Sequence, residues 1–280
     1  MNVEEIMTKD VVVGYVPGTV EAVLEKFAKH NISGMPILKK GTEQLAGVVT
    51  RTDIFKNADE DQIAMVMSDD FYSVQKGDSI EKAAKLFFEK SIHGLPVVGK
   101  NNTLLGLINP NDILKILAEK EHEDVAADYI NKLVVPVYIE TPINIIMEII
   151  SITNQNALPV LDDNMKVAGI VTDGDLLKHS QIKEGVSQSN MGIGDDEDQW
   201  TWEGIRDTIR MYHATSEVEL PKVPVKEVMI SKVKTATKNT PVCDLAKIML
   251  KKKISNIPIV DAQNRLKGMV SDLQLMRCMY

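Results

Sequence analysis

The sequence predicts an α+β fold built from four copies of one β-α-β-β-α unit. Three repeated features carry this prediction: a proline that starts a β-like run, an apolar helix face before it, and a glycine after it. The prolines are Pro36, Pro96, Pro159 and Pro258. In the first copy, Val20, Val23, Leu24 and Phe27 form the helix face, with i, i+3, i+4, i+7 spacing.

The remaining elements recur in the same order in every copy. The other three helix faces are Ile80, Ala83, Ala84 and Phe87; Ile143, Ile146, Met147 and Ile150; and Val242, Leu245, Ala246 and Met249. After each proline come a short strand, a polar turn and a second strand, which is the pattern of a hairpin. The second strands contain Gly47, Gly106, Gly169 and Gly268. Three residues later, Thr50, Asn109, Thr172 and Ser271 are expected to cap a second helix.

The size of the repeat predicts that units pair. One unit of about sixty residues is too small to bury two helices against three strands by itself. The predicted segments are unit 1 (1–57), unit 2 (58–120), unit 3 (121–180), an insertion (181–223) and unit 4 (224–280). A polar stretch from Glu119 to Asp128 separates two halves, each of which we expect to pair internally.

The insertion is the part of the chain that departs from the repeat. Between Gln181 and Lys222 it has nine acidic and four basic residues. Its start is expected to be a loop. Further along, Trp202, Ile205, Ile209 and Tyr212 share one helical face, which predicts a helix that docks on the body.

Composition narrows the class of protein. Hydrophobic residues make up 44% of the 280 residues and charged residues 26%, as in an ordinary globular protein. The net charge of -8 disfavours nonspecific nucleic-acid binding. No apolar run reaches the roughly 18 residues of a membrane helix, and Met1 to Asp10 lacks a signal-peptide core. Two cysteines, Cys243 and Cys278, suit a reducing compartment, so we expect a cytoplasmic protein without membrane contact.

Several motifs resemble the cystathionine-β-synthase (CBS) domain family, whose tandem units pair into Bateman modules. They are the openings Ile6-Met7-Thr8 and Val66-Met67-Ser68, the Gly-x-Pro motifs Gly34-Met35-Pro36 and Gly94-Leu95-Pro96, and the Gly-x-x-Thr-x-x-Asp motifs from Gly47 to Asp53 and from Gly169 to Asp175. The resemblance covers nearly all of the chain outside the insertion. It implies two Bateman modules in a pseudo-symmetric disk, as in related archaeal proteins and the γ subunit of AMP-activated protein kinase. It also implies adenosine-ligand sites in the clefts between paired units.

The sequence allows two roles for the Thr-x-x-Asp motif, namely ligand binding and helix capping. A carboxylate at the start of a helix can accept hydrogen bonds from the two hydroxyls of a ribose, while the hydroxyl and free helix N–H groups receive a phosphate. The CBS family uses the motif in this way. Thr50 with Asp53 and Thr172 with Asp175 can equally form capping boxes that need no ligand.

The four copies differ at this motif. Units 1 to 3 keep an acid at Asp53, Asp112 and Asp175, whereas unit 4 has Gln274, a poor ribose ligand. Unit 2 has Pro110 after Asn109, which removes one N–H from the first helical turn. We therefore expect units 1 and 3 to hold the best sites, then unit 2, then unit 4.

The resemblance implies further ligand contacts. Three residues before the prolines stand Ser33, His93, Asn156 and Ser255, a position that often faces phosphate in kinase γ subunits. His93 and Arg51 could thus contact a phosphate in the unit 1 site. Alternatively, His93 is a hydrogen-bonded residue at a turn, and Arg51 is a solvated side chain. The opening position of Thr8 becomes Ser68, Asn131 and Ile230, which again sets unit 4 apart. The full predicted set is Thr8, Gly34, Met35, Pro36, Thr50, Arg51, Asp53, Ser68, His93, Gly94, Asn109, Asp112, Asn131, Ala157, Thr172 and Asp175.

These observations predict a non-catalytic regulatory protein that senses AMP, ADP or ATP. S-adenosylmethionine and a dinucleotide stay open, because a ribose clamp does not identify the rest of the ligand. A second hypothesis is a ligand-free scaffold that binds partners through the acidic, Trp-containing insertion. An enzyme is disfavoured because the repeats leave no catalytic domain, and we expect neither a catalytic cofactor nor a metal site. The regulated protein is unknown, and two disks could associate as a homodimer.

Overall fold

The computed structural model describes residues 1–30, 32–57, 60–119, 123–153, 155–178, 181–189, 211–219 and 221–280. Unit 1 comprises α1 (Val3–Ile6), β1 (Gly14–Val16), α2 (Val20–His30), β2 (Gly34–Lys39), β3 (Leu45–Thr50) and α3 (Arg51–Lys56). Unit 2 comprises α4 (Ile63–Val66), β4 (Val74–Gln75), α5 (Ile80–Lys90), β5 (Leu95–Val98), β6 (Leu104–Ile108) and α6 (Pro110–Glu119). The predicted element order is therefore present in both units.

The second half repeats this order around an insertion. Unit 3 comprises β7 (Val137–Tyr138), α7 (Ile143–Thr153), β8 (Ala157–Leu161), β9 (Val167–Thr172) and α8 (Asp173–Lys178). The insertion contains β10 (Gln181–Ser189) and β11 (Met211–Glu219), and unit 4 comprises α9 (Val242–Lys252), β12 (Asn256–Val260), β13 (Leu266–Ser271) and α10 (Asp272–Leu275). Short 3-10 turns open these units at Ala126–Tyr129 and Val225–Glu227, and another ends the chain at Met276–Met279.

Each of units 1 to 3 contains a mixed three-stranded sheet. The first strand is parallel to the second, and the second is antiparallel to the third. Unit 4 has only the antiparallel pair β12–β13, and a single parallel bridge from Ala236 to Ile259 stands where its first strand would be. A helix joins the parallel positions in every unit, so its apolar face packs on the sheet.

The units of each half exchange their opening segments, which are residues 2–8, 62–68, 125–131 and 224–230. In the unit 1 core, Ile63 and Val66 of the unit 2 opening pack with Phe27. In return, Val3 of the unit 1 opening lies in the core that contains Phe87 of unit 2. Units 3 and 4 do the same. Because burying one Ile side chain contributes about 1.5–3 kcal/mol, a unit without its partner's opening segment would lose a substantial part of its core.

The repeated prolines mark where the exchanged segments dock. Pro36 lies opposite Val48 in the β2–β3 ladder, and the backbone of Val48 exchanges two hydrogen bonds with Ser68 of unit 2. The equivalent bridges are Thr8 with Leu107, Ile230 with Ile170, and Asn131 with Met269, each opposite a proline. The proline lacks an N–H, but none is needed there, because this pair does not hydrogen-bond across the hairpin.

The repeated glycines provide room for the same bridges. A Cβ atom on Gly47 would lie 2.6 Å from the carbonyl O of Ser68, and one on Gly106 would lie 2.8 Å from the carbonyl O of Thr8. Gly169 and Gly268 face the openings of units 4 and 3 in the same way. A side chain at these positions would push the exchanged segment away from the sheet.

The two halves meet through units 2 and 4, whose buried residues form one continuous hydrophobic cluster. Arg277 joins them further, because its guanidinium lies 5.6 Å from the ring centre of Phe88 and 5.5 Å from that of Tyr129. Units 1 and 3 keep separate clusters. The helix faces differ accordingly: Leu24 is 43% exposed, whereas its equivalents Ala84 and Ala246 are fully buried.

The insertion begins with a strand and not with the predicted loop. Its strands β10 and β11 form an antiparallel ribbon in which Gln181 pairs with Glu219 and Ser189 with Met211. Tyr212 lies in β11, whereas Trp202, Ile205 and Ile209 lie outside the described residues. The predicted docking helix therefore stays a prediction.

We expect Gly106→Ala to lower the free energy of unfolding by about 1–3 kcal/mol, a typical cost of overpacking. The added methyl group would lie 2.6 Å from Sδ of Met7 as well as against Thr8. Urea unfolding measures the change. The matched control is Gly77→Ala, because nothing lies within 4 Å of a Cβ at Gly77. Equal stability of the two variants would show that the opening segment does not need this glycine.

Candidate functional site

In unit 1 the predicted ligand residues come together where the hairpin meets the last helix. Gly34 pairs with Thr50 across the β2–β3 ladder. The N–H of Arg51 donates to the carbonyl O of Ser33 at 2.9 Å. Asp53 follows within the first turn of α3. The start of β2, the end of β3 and the start of α3 therefore form one continuous surface.

Units 1, 3 and 4 form the capping box that the sequence allowed, and unit 2 forms the half of it in which the acid accepts from the cap N–H. In unit 1, Oδ2 of Asp53 accepts hydrogen bonds from the N–H of Thr50 at 2.8 Å and from its hydroxyl at 2.6 Å. Asp175 holds Thr172 in the same way, at 3.2 and 2.7 Å. In unit 2 the N–H of Asn109 donates to Asp112, and in unit 4 Gln274 accepts from the N–H and hydroxyl of Ser271. The motif thus has a structural role in every copy.

The three acids differ in what remains available to a ligand. Asp53 is half-buried, and within the described residues no donor reaches its Oδ1 atom. The side chain of Asp112 is 4% exposed, and Lys115 Nζ donates to its Oδ1 at 3.0 Å. Asp175 is buried, with 7% exposure. Of these carboxylates, Asp53 presents the most accessible oxygen.

The opening residues reach the sites by exchange. From the sequence we expected Thr8, Ser68, Asn131 and Ile230 to lie in the sites of their own units. The structure places Ser68 beside unit 1, where it pairs with Val48 two residues before Thr50. Likewise, Thr8 lies on unit 2, Ile230 on unit 3 and Asn131 on unit 4. Ile230, the apolar residue at the opening position of unit 4, therefore lies beside unit 3.

The remaining predicted residues divide between core and surface. Met35, Pro36 and Ala157 are buried in their sheets, so their side chains contribute to packing. Gly94 is exposed at the start of the unit 2 hairpin. These four residues shape the backbone beside the sites, and none of them brings a charged group there.

His93 lies between units 2 and 4. We expected it to serve the unit 1 site with Arg51, but its Nε2 atom lies 3.5 Å from Oδ1 of Asp272 at the start of α10. Burial alone lowers the pKa of His93, but the hydrogen bond to Asp272 and the charges of Asp272 and Asp173 outweigh it and raise the pKa above its usual value. The structure therefore pairs His93 with Asp272 of unit 4, and the charge of Asp173 in unit 3 adds to the effect.

Sequence reasoning missed the acids beside His93. The first residue of the last helix in each unit is Arg51, Pro110, Asp173 or Asp272. The N–H groups of Arg51, Asp173 and Asp272 donate to the carbonyl of the residue three before the proline, and Pro110 has no N–H to do so. Comparing this one position across the copies would have shown a cation in unit 1 and anions in units 3 and 4.

Other kinds of site receive little support from the described part of the chain. It contains no group of three or more His, Cys, Asp or Glu residues placed to hold a metal ion. Within the same residues, no helix is long and apolar enough to cross a membrane. Burial raises the pKa of the Cys278 thiol to about 11, which keeps it protonated at neutral pH.

The chain belongs to the CBS domain family. Four CBS domains match residues 3–60, 62–119, 125–181 and 225–280. The protein is therefore a tandem CBS regulatory module with the predicted α+β fold, in which four units pair as two Bateman modules.

Two proteins similar to the whole chain come from Methanocaldococcus jannaschii and Pyrococcus horikoshii. The chain is 22% identical to protein MJ1225 of Methanocaldococcus jannaschii over 294 aligned positions, which cover 96% of this chain and 95% of MJ1225. The crystal structure of MJ1225 covers 100% of both chains with a TM-score of 0.76 and 21% identity. A conserved protein of Pyrococcus horikoshii also covers 100% of both, with a TM-score of 0.70 and 24% identity. These likenesses show the fold.

One relative that matches only part of this chain is an enzyme. Homoserine O-acetyltransferase of Methanohalobium evestigatum is 34% identical over 114 residues, which are 41% of this chain. The chain spans only 23% of the length of that enzyme. The similarity concerns a shared module and carries no catalytic activity to this chain.

We expect the stability of the protein to depend on the protonation of His93. Because its pKa is raised in the folded state, this contribution is fully present below the usual pKa of 6.5 and is lost as the pH rises through the raised value. The melting temperature of the wild type should therefore fall more between about pH 6 and pH 8.5 than that of His93→Gln. Asp272→Asn should flatten the profile similarly. Parallel profiles for all three proteins would contradict the pairing.

Proposed function

We propose that this protein is a non-catalytic regulatory module that binds an adenosine ligand beside unit 1. The accessible Oδ1 atom of Asp53 carries the proposal, because it can accept a ribose hydroxyl while Oδ2 keeps the capping box. Ser68, brought by the exchanged opening segment, adds a polar group from unit 2. The site is thus built by a pair of units and not by one unit.

The charge beside each site favours a phosphate ligand at unit 1. Arg51 directly follows the capping residue Thr50 there, and its guanidinium can pair with phosphate oxygens. In units 3 and 4 the same position holds Asp173 and Asp272, which repel a phosphate. AMP, ADP or ATP is therefore the proposed ligand of unit 1. S-adenosylmethionine and a dinucleotide are the alternatives that binding measurements must separate.

Regulation follows if the ligand binds two arrangements of the protein unequally. Within the described residues, the halves share one core at units 2 and 4, whereas units 1 and 3 keep separate cores. A ligand at unit 1 can therefore bias the separation of the two outer units while the central contact holds. The readout would be altered affinity for a regulated protein or for a second disk. Free Cys243 and Cys278 fit a cytoplasmic setting.

We expect Asp53→Ala to weaken AMP binding about ten-fold or more, because a hydrogen bond to a charged group contributes roughly 1.5–3 kcal/mol. Isothermal titration calorimetry measures the affinity, with S-adenosylmethionine as the second ligand. Gln274→Ala is the control, since it removes a capping box from unit 4 without removing an acid. It should leave the affinity unchanged. Asp175→Ala tests unit 3 in the same way.

Two results would reject this assignment. Unchanged AMP affinity in the folded Asp53→Ala protein would show that the motif only caps a helix. Absence of binding by the wild type to every ligand tested would favour the scaffold hypothesis. Melting curves of the same variants separate lost affinity from lost stability, because capping alone contributes about 1 kcal/mol in each unit.

Removing the tip of the insertion should leave nucleotide binding intact. Residues 190–210 can be replaced by an Asn-Gly turn, because the paired residues Ser189 and Met211 end the ribbon. No repeat-equivalent residue lies in the removed segment, so we expect AMP affinity within about two-fold of the wild type, while partner binding or self-association changes. Complete loss of affinity in a folded variant would instead place Trp200, Trp202 or the acidic residues in the site.

A further inference from the structure

Unit 4 has a charge opposite to that of the rest of the chain. Residues 224–280 contain eleven Lys and Arg residues and four Asp and Glu residues. The whole chain contains 32 and 40, so the other residues are strongly acidic. A local excess of this size creates a positive field over one part of an otherwise negative surface.

Six lysines of unit 4, here called the lysine cluster, lie on α9 and the residue after it or on the segment that leads to the Ala236 bridge. They are Lys232, Lys234, Lys247, Lys251, Lys252 and Lys253, and all are exposed. Lys247 and Lys251 are one helical turn apart on α9, which ends at Lys252 just before β12. The parallel bridge of Ala236 to Ile259 means that the chain running back through Lys234 leads towards the start of β12 as well.

The lysine cluster is almost unneutralised. Lys247 lies 3.5 Å from Asp244, an exposed pair that contributes little. Within the described residues, no acid lies within 4.0 Å of the other five lysines. Lys251 and Lys252 lie in the last turn of α9, where a cation interacts favourably with the helix dipole, whereas the like charges of Lys247 and Lys251 one turn apart repel each other.

The other units show that the scaffold does not need these lysines. At the position of Lys232 unit 1 has Asp10, and at that of Lys247 it has Glu25. At the position of Lys251 unit 2 has Glu89 and unit 3 has Ile152. Four copies of one fold thus tolerate acidic, apolar and basic residues at these positions, and unit 4 alone has lysine at all six.

We propose that the lysine cluster is a docking surface for an acidic polypeptide segment of a partner protein. Charge complementarity selects an anionic partner. The cluster contains no arginine, whose planar fork suits bidentate phosphate recognition, whereas lysine pairs readily with single carboxylates. A long nucleic acid would run beyond unit 4 onto the acidic remainder of the chain. A short acidic segment can engage the cluster alone.

A fluorescent deca-glutamate peptide tests this proposal on the full-length protein by anisotropy at low salt. We expect saturable binding that the variant Lys234→Glu/Lys251→Glu/Lys252→Glu weakens by on the order of ten-fold or more. The matched control, Lys39→Glu/Lys40→Glu/Lys76→Glu, makes the same change in net charge at exposed lysines of units 1 and 2. It should retain binding within about two-fold. The neutral variant Lys234→Gln/Lys251→Gln/Lys252→Gln should fall between these two.

Three outcomes would overturn the proposal. The first is no saturable binding of the peptide by the wild type at low salt. The second is an equal loss in the cluster variant and the matched control, which would show that only net charge matters. The third is tighter binding of a single-stranded DNA of ten nucleotides than of the peptide, which would make the surface a polyphosphate site. Circular dichroism of each variant confirms that the fold is retained.

Discussion

The exchange of opening segments between paired units is the interaction on which the rest of the structure depends. Each segment adds apolar side chains to the core of its partner, as Ile63 does beside Phe27. Each also extends the partner's sheet by a two-hydrogen-bond bridge, as Ser68 does with Val48. A single unit therefore has neither a complete core nor a complete sheet edge, and the folding unit is the pair.

The same exchange makes the candidate site a property of the pair. Ser68 reaches unit 1 only because its segment leaves unit 2, and its bridge stands two residues before the capping residue Thr50. A change in how the two units pair would therefore move a site residue relative to Asp53. This is a direct physical route by which binding and the arrangement of the units can be coupled.

Features set within one copy could be predicted from the sequence, and so could the pairing of units within each half, but the contacts that the pairing creates could not. The helix faces, hairpins and caps depend on local spacing, and Thr50 with Asp53 forms the predicted capping box. The repeat period is the same whether an opening segment packs in its own unit or in the partner unit, so the sequence could not reveal the exchange. The exposure of Leu24 and the contact of His93 with Asp272 depend on how the halves meet, which no local pattern encodes.

Four copies of one fold in a single chain act as an internal control for function. Residues that every copy keeps, such as the proline opposite each bridge and the glycine beside it, serve the shared architecture. Residues that differ at equivalent positions are not required by the shared architecture. Arg51 stands where units 3 and 4 have Asp173 and Asp272, and no other unit has lysine at all six positions of the lysine cluster. Because the fold tolerates different charges at these positions, the differences among the copies are where the proposed roles of the units would lie: phosphate binding at the Arg51 surface of unit 1 and partner binding at the cationic surface of unit 4.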